Sequence, residues 1–371
     1  MHALHLSGNS PKFRVLNAFC MLTDDQKTVL IRREIAAAGK DIKQQYPILK
    51  HQNAMGFSIF LVSVSMIVFA SVLYLRGMLS VWILIPFNAF WMSLLHELEH
   101  DLIHWMYFRK IPFVHNMMLL LGWILRPLTI NPWLRREIHF HHHKYSGTLH
   151  DVEERGVTNG EKWSLKRLIE LPDLLLGGIL RAHTMRIDIR KCVLDGSLPK
   201  EQAFRFKEIG QYAMLPFGLF SYFIWYVFLI HYGMHAIAYV FNFSYNSPTI
   251  LQSQFTWINP FVAILVAPNI LRQFCLHFIT SNMHYFGDVE SGNILQQTQV
   301  LNIWWTFPLQ LFCFFFGWTH AIHHFVVNET FYVRHLTRRR SLQIMKENGV
   351  RFNDIGTFRR ANRFGELQVA G

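Results

Sequence analysis

The sequence predicts an all-α integral membrane protein: four transmembrane helices with a cytoplasmic helical cap. Three observations predict it. Only 16% of the 371 residues are charged while 51% are hydrophobic, against about 25% charged residues in a soluble domain. Four apolar runs approach the roughly 20 residues that cross about 30 Å of hydrocarbon. Lys and Arg fall almost wholly on one side of those runs, as cytoplasmic loops require.

Residues 1–13 lack the charged-then-apolar pattern of a cleavable signal. Thr23-Asp24-Asp25-Gln26 has the capping-box spacing and starts an amphipathic helix running to about Gln45. Residues 1–54 therefore read as an N-terminal cytoplasmic segment, 55–335 as the membrane domain, and 336–371 as a basic cytoplasmic tail. The four crossings are residues 55–75, 78–95, 212–241 and 255–279, with Arg76-Gly77 as a tight break between the first two. Residues 116–125 are apolar but too short to cross, which predicts a buried or interfacial helix. Residues 301–318 are long enough but carry Asn302, Pro308 and Gln310.

Charge decides that last case. Residues 1–54 carry eight Lys and Arg, 104–211 seventeen and 319–371 nine, while 242–254 carry none. With four crossings, 34 of the 36 basic residues lie on one side. A fifth crossing at 301–318 would export nine of them. Both termini are thus expected in the cytoplasm, and the +12 net charge reflects topology and anionic lipid. No basic segment pairs with a nucleic-acid-binding motif. Cys20, Cys192, Cys275 and Cys313 are too far apart for a CxxC motif.

Histidine carries the chemical signal. Three segments hold ten of the 21 His: His96-Glu97-Leu98-Glu99-His100-Asp101-Leu102-Ile103-His104, His139-Phe140-His141-His142-His143, and His320-Ala321-Ile322-His323-His324. The last two contain HxxHH. His284 stands alone just past the fourth crossing, and the Lys/Arg topology puts all four places at the cytoplasmic face. Imidazoles three or four residues apart share a helix face, and neutral imidazole is a ligand for several transition metals. Eight or nine of them exceed the needs of one ion, so the count points to two metal ions. With no sulfur ligand and an apolar scaffold, iron and oxygen chemistry is the natural assignment. His231 and His235 repeat the HxxxH spacing but lie about 28 Å along the third crossing, at the other membrane face. The lone His2, His5, His51, His115, His183 and His277 read as interfacial or core residues.

The order HxxxH, HxxHH, HxxHH, with its first box after the second crossing and its last after the fourth, resembles the membrane fatty acid desaturase superfamily of four-span non-haem di-iron enzymes. The resemblance covers about residues 55–335. HFHHHKYSGTLHDVEE, from His139 to Glu154, is similar to the second box of acyl desaturases, and HHFVVNETFYVRH, from His323, to their tail segment. HELEH and His284-Tyr285-Phe286-Gly287 resemble the related alkane hydroxylases. The resemblance implies two iron ions (Fe2+/Fe3+) held by His96, His100, His139, His142, His143, His284, His320, His323 and His324. His104 is an extra, either a ligand or a group behind one, and His141 has no counterpart. Where several desaturases have an Asn four residues before the isolated His, this chain has Thr280, with Asn282 nearby. Asp101, Glu137, Asp151 and Asp288 flank the boxes as candidate acceptors that would fix imidazole tautomers.

His96-Glu97-Leu98-Glu99-His100 also matches HExxH, the zinc metallopeptidase motif with Glu97 as base, but that reading leaves both HxxHH segments unexplained. Glu97-x-x-His100 fits the soluble di-iron carboxylate pattern only once. A transporter would place its ligands near the membrane midplane. The expected reaction is O2-dependent oxidation of an unactivated C–H bond in a fatty acid or fatty acyl chain, and the continuation of the second box favours desaturation. Hydroxylation of an alkane or fatty acid and decarboxylation to a 1-alkene are the alternatives. The sequence has no GxGxxG run, four-cysteine knuckle or haem domain. An external donor of ferredoxin or rubredoxin type, with its reductase, is expected on the basic face.

Overall fold

The computed structural model describes residues 22–196 and 198–365. His2, His5, Cys20 and the ends of the predicted terminal segments lie outside the described residues. Within them the chain is helical, with two isolated bridges, His284 to Thr298 and Val300 to Phe352.

α1 spans Asp24–Gln45 and begins at the expected capping box: Gln26 N donates to Thr23 Oγ1 at 3.3 Å and Thr23 N to Gln26 Oε1 at 3.0 Å. Four helices are long and apolar enough to cross a membrane: α2 (Gln52–Leu75), α3 (Val81–Ile103), α10 (Phe217–Val240) and α11 (Thr249–Met283). Between them lie α4 (Pro112–Ile124), α5 (Pro132–Tyr145), α6 (Val152–Gly156), α7 (Leu165–Glu170), α8 (Leu174–Leu194) and α9 (Lys200–Tyr212). α12 (Phe316–Phe325) and α13 (Phe331–Glu347) complete the cap.

Two crossings run further than their apolar runs. α3 continues eight residues past Leu95, because its polar end from His96 to Asp101 is buried against protein. α11 is 35 residues, about 52 Å of helix, so it outreaches a 30 Å hydrocarbon layer and carries its C-terminal turns into the cap. It contains a π-helical stretch, Val262–Val266. Such a stretch disturbs the local carbonyl pairing, and buried Asn88 of α3 donates to Ile264 O at 3.0 Å. That bond fixes the register between the two helices.

Residues 301–318 form no continuous helix. They break into Trp304–Thr306, Phe307–Leu311 and the start of α12, with Phe314 and Phe315 at φ 47° and 54°. α4 is the short apolar helix expected at 116–125, burying Met118, Leu119 and Trp123 and exposing Phe113 and Leu121.

One core joins Ile31 and Ile35 of α1 to Ile279, Ile322 and Met345. A second joins Ile67 and Met92 of the first two crossings to Met118 and Phe331. Gly56 lets α2 approach the second core, since a Cβ there would lie 2.5 Å from the Tyr107 ring. The Tyr107 hydroxyl donates to Asp101 at 2.8 Å. α1 is tied to the cap by Arg32 Nε donating to Phe325 O at 3.2 Å and by the Lys43–Glu329 pair at 2.6 Å.

Candidate metal centre

Four places in the chain present imidazoles to one region. The end of α3 supplies His100 and its C-cap His104. α5, started by Asn131 capping Trp133 N at 3.0 Å with Pro132 in the first turn, supplies His139, His142 and His143. His284 caps the C-terminus of α11, and α12 supplies His320, His323 and His324. The i, i+3, i+4 spacing on α5 and α12 turns three rings of each helix toward the centre.

The imidazoles form two groups. His100, His104, His139, His143 and His323 make one; His142, His284, His320 and His324 make the other. Within each group the candidate ligand nitrogens lie within 4.8 Å of one another. In the first, His104 Nε2 is 3.0 Å from His139 Nε2, 3.2 Å from His143 Nε2 and 3.1 Å from His323 Nε2. In the second, His324 Nε2 is 3.2 Å from His284 Nε2 and 3.3 Å from His320 Nε2.

The opposite edges of the rings show what these contacts are. His139 Nδ1 donates to Glu153 at 2.8 Å, His142 Nδ1 to Asp151 at 2.8 Å, and His324 Nδ1 to Gln297 Oε1 at 3.1 Å. His284 Nδ1 donates to Thr280 O at 3.0 Å and lies 2.9 Å from Thr280 Oγ1. A neutral imidazole with its proton on Nδ1 has only a lone pair on Nε2. Lone pairs converging at about 3 Å repel unless a cation lies between them, and about 3.0–3.4 Å is the edge expected around an ion with metal–nitrogen bonds near 2.1 Å. His100 is fully buried with neither ring nitrogen hydrogen-bonded, as expected of a missing ion partner. The donor set therefore fits two metal ions.

Electrostatics agree. Burial, then the charge of neighbouring imidazoles, lowers His104 to about 2 and His284 to about 3. The same causes hold His143, His320 and His324 well below the usual imidazole range. These rings stay neutral and able to bind metal. For His142, burial opposes charge but Asp151 outweighs it, raising the ring to about 10. A cation on Nε2 would offer Asp151 the same positive charge in place of the proton.

Eight of the nine expected ligands join the groups, and His96 does not. Arg126 donates to His96 Nδ1 at 3.3 Å, which puts the ring proton on Nε2 and leaves no free lone pair. His96 also sits one helical turn, about 6 Å, before His100. His104 is the first-segment partner of His100 instead. The HExxH reading fails on the same geometry, since His96 and His100 do not converge and Glu97 faces Arg334 at 3.7 Å. Among the described residues Asp101 makes no hydrogen bond to an imidazole; it accepts from Tyr107, Phe331 N and Arg334. Exposed Asp288 caps Phe364 N and Gly365 N, and exposed Glu137 pairs with Arg205. Asp151 does hold a ring, and its other oxygen caps α6 through Glu154 N at 3.2 Å. Glu153 and Gln297 were missed. Glu153 belongs to the quoted HDVEE run, whereas Gln297 lies in a loop that gives no sequence signal. His231 stacks on Phe255 at 3.8 Å, near the start of α11 and about 40 Å of helix rise from His284.

A cavity of about 290 Å³ opens beside the imidazoles. His100, His139, His142, His284 and His320 form one wall, and Ile138, Met185, Ile189, Phe206 and Ile209 an apolar one. Arg126, Arg135 and Arg272 also line it.

Four helices long and apolar enough to cross a membrane support two all-imidazole groups that could each hold a metal ion, the architecture of a polyhistidine membrane protein. The family model for fatty acid desaturases matches residues 76–356, well over half of the chain, so this protein belongs to the fatty acid desaturase family. No curated protein and no solved structure matches it. Membership makes it an oxidoreductase acting on fatty acyl chains through its histidine-rich site.

Proposed function

We propose that the protein is an O2-dependent di-iron oxidase that attacks an unactivated C–H bond in a fatty acid or fatty acyl chain, with desaturation as the outcome. The observation that carries this reading is the shared cavity: His100 and His139 of one imidazole group and His142, His284 and His320 of the other line a single cavity of about 290 Å³ with an apolar wall. His100, His104, His139, His143 and His323 would hold one iron, and His142, His284, His320 and His324 the other. The bound pair supplies O2 activation when reduced by an external donor. The protein's own part is positioning. Asp151, Glu153, Gln297 and Thr280 fix the rings, and the apolar wall orients the chain and excludes water. Hydroxylation and decarboxylation to a 1-alkene use the same site, and the product separates the three.

The exposed apolar residues of α8 and α9, among them Ile179, Leu194 and Phe204, suit contact with the membrane interface and entry of a lipid chain. The basic cap suits an acidic ferredoxin- or rubredoxin-type donor and a cytoplasmic site. A reporter fused at Asn246 then faces outward and one at Gly371 the cytoplasm. The deciding experiment supplies purified protein with iron, reduced donor, O2 and fatty substrates, and analyses products by mass spectrometry. About two irons per chain and an O2-dependent unsaturated product are expected. One zinc per chain with retained activity overturns the reading.

A further inference from the structure

Arg272 is a buried cation without a buried anion. It lies on α11, is 2% exposed and lines the cavity. Its Nε donates to Asn269 Oδ1 at 2.7 Å, but its Nη1 has no hydrogen-bond partner. Among the described residues no carboxylate forms an ion pair with it. Glu99 is the carboxylate that acts on it from a distance, and Glu99 is already held by Arg126 and by Arg135 at 2.9 Å. Arg334 has Asp101 at 3.2 Å and Arg181 has Glu170 at 3.5 Å. Among the described residues buried Arg167 also lacks an ion pair, but its donors reach Thr158 Oγ1, Asn159 Oδ1 and Asn362 Oδ1, whereas Arg272 keeps an open Nη1.

Arginine stays charged in any protein environment, and burying a charge without a partner is strongly unfavourable. Such a guanidinium calls for an anion supplied from outside. Its place in the fold says which anion. Asn88 and Ile264 share a level through their hydrogen bond. Eight residues on in each helix, His96 and Arg272 share the next, which agrees with the charge of Arg272 acting on His96. His100 follows one turn later, about 6 Å on. The cationic end, the imidazole wall and the apolar wall thus enclose one small space.

We propose that Arg272 binds the carboxylate of a free fatty acid, which enters the cavity head-first so that the carbons nearest the carboxylate lie against the imidazole groups. This rests on the reading that the cavity holds a fatty chain. A thioester carbonyl is neutral and would leave the guanidinium uncompensated. A carboxylate accepts from the open Nη1, cancels the charge and brings an apolar tail for the other wall.

The test is equilibrium binding of radiolabelled dodecanoic acid, its methyl ester and 1-dodecanol to the iron-loaded full-length protein in lipid nanodiscs. The wild type is expected to bind the acid about tenfold or more tightly than the ester or alcohol, the usual scale for a charged hydrogen bond. Arg272→Gln should remove that preference, and Arg272→Lys should restore part of it, with iron content unchanged in both. If Arg272→Gln does not fold, the wild-type comparison decides alone. Equal binding of acid, ester and alcohol by the wild type overturns the proposal, as does undiminished acid preference in a folded Arg272→Gln. Turnover of dodecanoic acid should place the modification within a few carbons of the carboxylate, and a mid-chain product overturns the head-first arrangement. Acid-selective binding with no O2-dependent product would sink the oxidase reading and leave the carboxylate site standing. Oxidation of all three ligands without preference would do the reverse.

Discussion

His104 Nε2 and His139 Nε2 lie 3.0 Å apart, although 35 positions separate them and they sit on different helices. Contact that close between two ring nitrogens, one of them pointing a lone pair inward by the Nδ1 bond of His139 to Glu153, marks where a first ion would sit. It also makes His104 rather than His96 the partner of His100.

That assignment is directly testable. His104→Ala should lower bound iron toward one per chain and abolish turnover, while His96→Ala should keep close to two. Metal analysis of the purified variants checks it. Equal iron loss in both would return His96 to the ligand set.

His284 and His231 offer a second contrast. Both were lone or distant rings in the sequence, but His284 is fully buried among His142, His320 and His324, whereas His231 stacks on Phe255 at the far end of the bundle. His284→Ala should abolish activity and reduce iron, and His231→Ala should leave both nearly unchanged. A more damaging His231→Ala would contradict the four-ring second group.

The carboxylates behind the rings should matter unequally. Asp151→Ala removes the acceptor of His142 Nδ1 and the cap of α6, and a drop of about 10–100-fold in metal affinity is expected. Asp288→Ala removes only caps on Phe364 N and Gly365 N, so its metal affinity should match the wild type. Competition against a chelator of known affinity measures both.

Acid should unfold the metal-free protein early. His104, His143, His284, His320, His323 and His324 all titrate below their ordinary range because they are buried beside other imidazoles. The unfolded chain then binds more protons than the folded one below about pH 6.5, so their contribution is present above that pH and lost as pH falls. His142 has the opposite sign: raised to about 10, it stabilises fully below pH 6.5 and loses that effect as pH rises. Several lowered rings outweigh one raised ring. Each deeply buried ring removes about 1.4 kcal/mol per pH unit below 6.5. The melting temperature of chelator-treated protein should fall between pH 7.5 and 5.5, and an unchanged value would mean the rings are open to water.

The crossings and the boxes were legible because their signals are local. An apolar run of about 20 residues and an HxxHH spacing each report on one helix. The charge asymmetry likewise kept 301–318 from being read as a crossing, and that segment is broken at Phe314 and Phe315. What escaped depends on contacts between helices. HELEHDLIH offers two HxxxH pairs of equal merit, and only Arg126, 30 positions away, removes His96 from the choice. Asp101 and Asp288 sit beside the boxes in sequence yet face elsewhere, because one position along a helix turns a side chain by about 100° and because Asp288 is spent on the C-terminal segment. Gln297 holds His324 from a loop, and a lone glutamine carries no pattern.

α5 and α12 each serve both groups. α5 gives His139 and His143 to one and His142 to the other, and α12 gives His323 to one and His320 and His324 to the other. The two positions therefore cannot fill as strangers. Seating a first ion would immobilise both helices and so pre-order three of the four rings that a second ion needs, which would lower the entropy that ion must overcome. Loading is therefore expected to be cooperative, with partly metallated chains scarce at equilibrium.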